Sequence, residues 1–164
     1  MLFTKIVWGR TATVVKQALA IGNALTGDGV IVVVDHIPLA RILEADGRRV
    51  VSVGARSSST RQLRRSAIVC PYSLPLRDGA SSALVGNVAD GTTDAFLAEW
   101  TRVIRDGGAI VLVGRTAPEE AARLALCAGL IALEQRACGR ATFVTSGLVC
   151  RSSRELQGVK TETY

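Results

Sequence analysis

Runs of apolar residues alternate along the chain with stretches in which apolar residues recur at helical spacing. The longest β-branched run, Val-Ile-Val-Val-Val at 30–34, contains no polar residue, which is typical of a central parallel strand covered on both faces. Shorter apolar runs predict further strands. These lie at 49–53, 67–70, 83–86 and 109–113, with a last pair at 131–134 and 141–145 that can form a hairpin.

Helices are predicted between these strands. Apolar stripes mark residues 11–25 and the segment from Phe96 to Ile104, where the spacing is 0, 1, 4, 7 and 8. Thr92 or Thr93 can cap the second of these helices, and Asp106-Gly-Gly108 is predicted to end it. The remaining helices are predicted from Pro38 to about Leu43, over 57–66 as a crossover, and from Thr116 to about Ala128.

Strands that alternate with helices predict an open α/β fold: a mostly parallel Rossmann-like sheet with helices on both faces and an antiparallel C-terminal hairpin. We expect residues 1–150 to form one domain. Residues 151–164 are polar and lack periodicity, so we expect a flexible tail there.

Composition narrows the class of protein. With 164 residues, 48% of them hydrophobic and 21% charged, the chain can bury a core, and disorder is excluded as its overall state. No apolar stretch is long enough for a membrane span and no secretory leader is evident, so we expect a cytoplasmic protein that does not enter the membrane.

Metal chemistry is not indicated by the sequence. His36 is the one histidine, which excludes any site built on two imidazoles. The four cysteines include no C-x-x-C pair, so we expect no metal and interpret them as small buried hydrophobic residues. They are Cys70, Cys127, Cys138 and Cys150.

Charge suggests one surface for contact with a partner or with phosphate. The net charge is +6, and Arg56, Arg61, Arg64 and Arg65 cluster among serines after the second strand. The cluster has no interleaved aromatic residues on which bases could stack, so nucleic-acid binding is possible but not favoured. A solvated helix face is the alternative interpretation.

Three stretches together carry a resemblance. They are Leu74-Pro-Leu-Arg-Asp-Gly-Ala-Ser-Ser-Ala-Leu-Val-Gly86, Val103-Ile-Arg-Asp-Gly-Gly-Ala-Ile-Val-Leu-Val113, and the pair Ala128–Glu134 and Ala141–Thr145. In order and spacing they resemble the turn before strand four, strand five, and the strand-six and strand-seven hairpin of class I S-adenosylmethionine-dependent methyltransferases. The resemblance covers residues 11–147 and implies that family's fold.

The cofactor motifs of that family are not matched. The family's glycine-rich turn after strand one falls on residues 31–37, which contain no glycine. The acidic residue expected after strand two is Gly54, and the one expected after strand three is Cys70. If a divergent pocket persists, the resemblance places Asp35, His36, Gly54 and Cys70 in it, with Asp35 replacing one lost acceptor.

These departures lead to one expectation and two alternatives. We expect a non-catalytic methyltransferase-like protein, a pseudoenzyme with no cofactor, that acts as an interaction or regulatory module through a protein partner or as a homo-oligomer. One alternative is an active S-adenosylmethionine-dependent methyltransferase that uses Asp35 and His36. The other is a basic nucleic-acid-binding protein. No catalytic residue is assigned. His36 could act as a general base or pocket donor, and the alternative interpretation is a loop histidine that caps a helix or packs.

Overall fold

The computed structural model describes residues 14, 16–22, 24–25, 28–54, 66–68, 73–88, 92–114, 116–139 and 142–151. Within these ranges the helices are α1 (residues 16–22), α2 (Ile37–Ala45), α3 (Asp94–Val103) and α4 (Pro118–Cys127). The strands are β1 (Val30–Val34), β2 (Arg49–Gly54), β3 (Ser66–Ile68), β4 (Ser81–Val88), β5 (Ile104–Gly114), β6 (Leu130–Gly139) and β7 (Thr142–Val149).

All seven strands form one sheet in the order β3-β2-β1-β4-β5-β7-β6. Strands β1 to β5 pair in parallel, whereas β7 runs antiparallel to both β5 and β6. The predicted α/β architecture with an antiparallel C-terminal hairpin is therefore confirmed. We call the edge of the sheet where β1 to β5 end the carboxyl edge, and the opposite edge the amino edge.

One apolar cluster lies on each face of the sheet. Alternate residues of β1 contribute to each cluster: Ile31 and Val33 pack with α1 and α2, whereas Val32 and Val34 pack with α3 and α4. All four side chains are buried. The absence of polar alternation in this run therefore results from burial on both faces.

Helix α3 confirms the strongest stripe in the sequence, and Trp100 is its largest buried side chain. Trp100 is 1% exposed, and its ring lies edge-on to Phe96 with centroids 6.3 Å apart. A Cβ atom at Gly86 of β4 would clash with Cζ3 and Cη2 of this ring and would lie 2.9 Å from Cε3. The lack of a side chain at residue 86 thus leaves room for the indole.

The predicted end of α3 at Asp106-Gly-Gly108 is wrong. The helix ends at Val103, and Ile104 is already extended and paired with Ser81 of β4. The next pair in the register is Ala83 with Ala109, so residues 105–108 form a bulge within β5. Gly107, with φ of 71°, lies in this bulge.

The turn before β4 is held to α3 by one guanidinium group. Arg102 donates hydrogen bonds to the carbonyl oxygens of Leu74 (3.1 Å) and Leu76 (2.9 Å), and it forms ion pairs with Glu99 (2.7 Å) and Asp78 (2.6 Å). The carboxylate of Glu99 also accepts a 2.6 Å hydrogen bond from the backbone N–H of Leu74. These contacts fix residues 74–78 at the amino edge.

Two further expectations concern the end of the chain and membranes. No helix in the described ranges is long and apolar enough to cross a membrane. Arg151, the first residue of the expected tail, donates 2.8 Å hydrogen bonds to the carbonyl oxygens of Arg102 and Ile104. Residues 152–164 lie outside the described residues, so the division between domain and tail stays a prediction.

Candidate functional site

The carboxyl edge brings Asp35 and Gly54 next to each other. Val34 pairs in register with Val53, so the residue after β1 lies beside the last residue of β2. The sheet order reverses between β1 and β4, and open α/β sheets bind ligands in the crevice at such a switch point. Two of the candidate residues are thus neighbours at this edge of the sheet.

The connection from β1 to α2 consists of two residues, Asp35 and His36. Asp35 has a φ of 51°, in the left-handed region that aspartate tolerates better than most residues other than glycine. Its backbone N–H donates a 2.9 Å hydrogen bond to the carbonyl oxygen of Val53. The reversal of the chain is therefore tight, and the backbone of Asp35 continues the pairing of β1 with β2.

The carboxylate of Asp35 lies over the end of β2. Its Oδ1 atom is 2.8 Å from the position that a Cβ atom would take at Gly54. A side chain at residue 54 would therefore displace this carboxylate, which is exposed. The chain thus has an acidic group near the end of β2, but the group comes from β1.

His36 is the N-cap of α2. Its Nδ1 atom accepts a hydrogen bond from the backbone N–H of Leu39 at 3.3 Å, so the ring proton is assigned to Nε2. The side chain is partly buried, and desolvation lowers its pKa below 6.5, although a backbone hydrogen bond acts in the opposite direction. The ring is therefore neutral at neutral pH, which the capping bond requires.

The first turn of α2 offers few donors to a ligand. A free helix N-terminus binds anionic groups through unpaired N–H groups. Here Pro38 has no N–H, and the N–H of Leu39 donates to His36. The N–H of Ala40 donates to the carbonyl oxygen of His36 at 3.1 Å. Most of the donor capacity of this helix end is already used within the chain.

The residues at this edge do not match the pattern by which class I methyltransferases hold their cofactor. That pattern requires a glycine-rich turn after β1, so that the backbone can approach the cofactor closely, and an acidic residue at the end of β2. The structure has Asp35 and His36 in the first position and Gly54 in the second.

Other candidates cannot be placed at the site. Cys70 lies outside the described residues, as does the basic cluster. That cluster comprises Arg56, Arg61, Arg64 and Arg65. The assignment of these residues as pocket or partner contacts stays a prediction. Residues 57–65 of the predicted crossover helix also lie outside the described residues, whereas Ser66 belongs to β3.

The interpretation of the cysteines as buried is wrong for one of them. Cys138 is buried, and desolvation raises the pKa of its thiol, whereas Cys127 is exposed at the end of α4 and Cys150 is partly exposed. Cys127 is the last residue of α4 and is not among the buried residues of that helix. Across the described ranges, no group of three or more His, Cys, Asp or Glu side chains could hold a metal ion.

A groove of about 620 Å³ lies at the amino edge, away from Asp35. It is lined by the ends of α3, α4 and β7, including Arg102, Cys127 and Arg151. Both guanidinium groups are already bonded within the chain, to carboxylates or backbone carbonyl oxygens. The sequence carries no signal for this groove, because the groove forms only when distant segments pack together.

Comparison with solved structures agrees with this topology. A SAM-dependent methyltransferase of Thermotoga maritima superposes with a TM-score of 0.70 at 13% identity, over 90% of this chain and 96% of the other. The 1,6-didemethyltoxoflavin-N1-methyltransferase of Burkholderia thailandensis, solved with 1,6-didemethyltoxoflavin and S-adenosylhomocysteine, gives a TM-score of 0.71 at 11% identity, over 90% and 82%.

A third similar chain comes from Haloferax volcanii. It is a candidate methyltransferase solved in complex with the Trm112 methyltransferase activator, with a TM-score of 0.66 at 14% identity over 90% of this chain and 93% of the other. No protein-family model matches the chain, and no curated protein matches it either.

The chain therefore has the fold of the class I S-adenosylmethionine-dependent methyltransferases, as the resemblance implied. Identities of 11–14% establish the fold alone, so the activity has to be argued from the carboxyl edge.

Proposed function

We propose that this protein is a methyltransferase-fold pseudoenzyme: it has lost the conventional S-adenosylmethionine site and acts as an interaction or regulatory module. The observation that carries the proposal is the two-residue connection between β1 and α2. Asp35 and His36 occupy the place of a glycine-rich turn, and both are engaged in local structure.

Two hydrogen-bond acceptors that hold the cofactor in the resembled family are missing from this sequence. A hydrogen bond to a charged group contributes about 1.5–3 kcal/mol. Gly54 and Cys70 stand where the family places two carboxylates. Their loss therefore weakens cofactor binding by about 3–6 kcal/mol, or roughly two to four orders of magnitude. An affinity in the micromolar range would become millimolar or weaker.

The N-terminus of α2 weakens such a site further. With Pro38 in the first turn and the N–H of Leu39 bonded to His36, the helix offers few free N–H donors to a carboxylate such as the one S-adenosylmethionine carries. A ligand would have to displace the His36 cap to reach these groups.

Binding of a protein partner is consistent with what one chain of similar fold does. The Haloferax volcanii neighbour was solved with an activator protein, so a chain of this fold can present a surface to another protein. For this chain, we propose that the binding partner is another protein or a second copy of the same chain.

A second candidate function rests on one specific observation. Because the carboxylate of Asp35 lies over Gly54, it can serve as the acceptor that the end of β2 lacks. In this case the protein is an active methyltransferase with a divergent pocket, and Asp35 holds the cofactor's hydroxyl groups.

Isothermal titration with S-adenosylmethionine and S-adenosylhomocysteine separates the two functions. The pseudoenzyme predicts no heat of binding at about 1 mM ligand, whereas a dissociation constant below about 100 μM supports the enzyme. If binding occurs, the divergent pocket predicts that Asp35→Asn weakens it about tenfold or more. Asp28→Asn is the matched control, because Asp28 is also exposed but precedes β1, at the opposite edge of the sheet.

A further inference from the structure

Strand β6 is the last strand on its side of the sheet. It is ten residues long and pairs with β7, and the described residues place no strand on its other side. Its outer edge therefore presents backbone N–H and C=O groups that can pair with another chain. Seven of its ten residues are exposed.

The side chains of β6 follow a charge pattern on one face. Glu134 and Arg136 pair in register with Ser146 and Val144 of β7, and Val144 packs in the cluster beneath α1 and α2. Both charged side chains therefore lie on that face. They form a 3.1 Å ion pair with each other and stay 63% and 50% exposed, which leaves them open to a second pair of charges.

Symmetry restricts how two copies of this edge can pair. A two-fold axis that joins two antiparallel edges into one sheet runs perpendicular to the sheet and keeps its faces together. Residues that lie opposite each other in the two strands then point to the same side of the sheet. The pairing is therefore centred on one residue, which lies opposite its own copy, and not on the bond between two residues. Two irregularities in the pairing with β7, at Ile131–Glu134 and Ala137–Gly139, limit the regular segment to residues 134–137.

Charge selects one centre within this segment. An axis through Glu134 or Arg136 places that residue opposite its own copy, and like charges directly opposite each other are destabilising. An axis through Ala137 places Arg136 opposite the partner's Cys138, and it leaves Glu134 without a partner inside the regular segment. An axis through Gln135 places Glu134 opposite the partner's Arg136, and Arg136 opposite the partner's Glu134.

We propose that two copies of this protein associate edge to edge through β6, antiparallel about Gln135, so that the two seven-stranded sheets become continuous. The two interchain ion pairs set the register of this homodimer. The inference does not depend on the state of the cofactor site, because β6 lies at the far side of the sheet from β1 and β2.

Sedimentation equilibrium of the full chain from about 1 to about 200 μM tests this inference. We expect a mass that rises with concentration from 17.3 kDa toward twice that value. Arg136→Glu and Glu134→Arg each replace two attractive contacts per dimer by two repulsive ones, so each variant alone dimerises about tenfold more weakly or worse.

An equimolar mixture of the two variants is the decisive sample. One chain then carries two glutamates and the other two arginines, so each glutamate faces an arginine and the dimer returns. Neither variant retains an ion pair within its own strand, so only an interchain contact explains the recovery. The control is Arg123→Glu on α4, whose side chain is 51% exposed and pairs with Glu120 within the helix. It leaves dimerisation unchanged.

Three outcomes overturn the inference. These are a wild-type chain that stays monomeric to about 200 μM, variants that dimerise as the wild type does, and a mixture that dimerises no better than its components. Circular dichroism of each variant, unchanged from the wild type, excludes unfolding as the cause of a lost dimer.

Discussion

Substitution of Gly86 by alanine tests the packing of the α3 face. The added methyl group would meet Cζ3 and Cη2 of Trp100, a ring that is 1% exposed and fixed against Phe96. The ring cannot move outward without exposing apolar surface, and β4 cannot shift without breaking its pairing with β1 and β5. Overpacking of a core typically costs about 1–3 kcal/mol, and we place Gly86→Ala at about 2–3 kcal/mol.

The expected loss is large enough to measure. For a chain of this length it lowers the melting temperature by roughly 5–10 °C. Urea unfolding followed by far-ultraviolet circular dichroism gives the free energy of unfolding directly. Gly22→Ala is the matched control, because nothing lies within 4 Å of a Cβ at this exposed position of α1. The same substitution there stabilises by about 0.5–1 kcal/mol.

A double-mutant cycle assigns the loss to the indole. Phenylalanine at residue 100 lacks atoms at the Cζ3 and Cη2 positions, and it also removes a buried Nε1–H that has no partner in the described residues. The loss of unfolding free energy in the double variant Gly86→Ala with Trp100→Phe is therefore expected to be about 1–2 kcal/mol smaller than the sum of the losses in the two single variants. A Gly86→Ala protein within about 0.5 kcal/mol of the wild type, or a cycle without coupling, would refute the reasoning.

Two further predictions concern titrating groups. His36→Ala is expected to cost about 0.5–1 kcal/mol above pH 6.5. The difference in unfolding free energy between wild type and variant shrinks as the pH falls from 6.5 through the lowered pKa of His36 in the folded state. The reason is that the unfolded chain takes up the proton first and that protonation of His36 breaks the capping bond. Urea unfolding at pH 8 and pH 5 measures this change. Glu99→Gln is expected to cost about 1 kcal/mol at pH 7 after allowance for solvent screening. The hydrogen bond from Arg102 lowers the pKa of Glu99 below 4.5. The difference in unfolding free energy between wild type and Glu99→Gln therefore shrinks as the pH falls from 4.5 through that pKa. A difference that stays constant down to pH 2 in urea unfolding would contradict the assignment.

Sequence periodicity predicted most of the fold because burial imposes it. The β-branched run at 30–34 is covered on both faces, and the stripe of α3 packs as expected. The Asp106-Gly-Gly108 turn misled the prediction, because the same residues suit a helix end and a β-bulge. Only pairing with β4 decides between the two, and this depends on residues more than 20 positions away.

The candidate site was only partly predictable. The family resemblance placed Asp35 and Gly54 in one candidate pocket, and in the structure the two residues follow or end neighbouring strands. The sequence did not indicate that the Asp35 carboxylate lies over Gly54, because this depends on the left-handed backbone at Asp35. The capping role of His36 was one of two interpretations, and the short β1–α2 connection decided for it.

The central claim is that the conventional cofactor site is lost. Titration of the wild-type chain with S-adenosylhomocysteine tests this claim most directly. With Asp35 and His36 engaged in the turn and Gly54 at the end of β2, we predict no saturable heat up to about 1 mM ligand. Saturable binding with a dissociation constant below about 100 μM, weakened by Asp35→Asn and not by Asp28→Asn, would contradict the claim and identify the protein as a working methyltransferase.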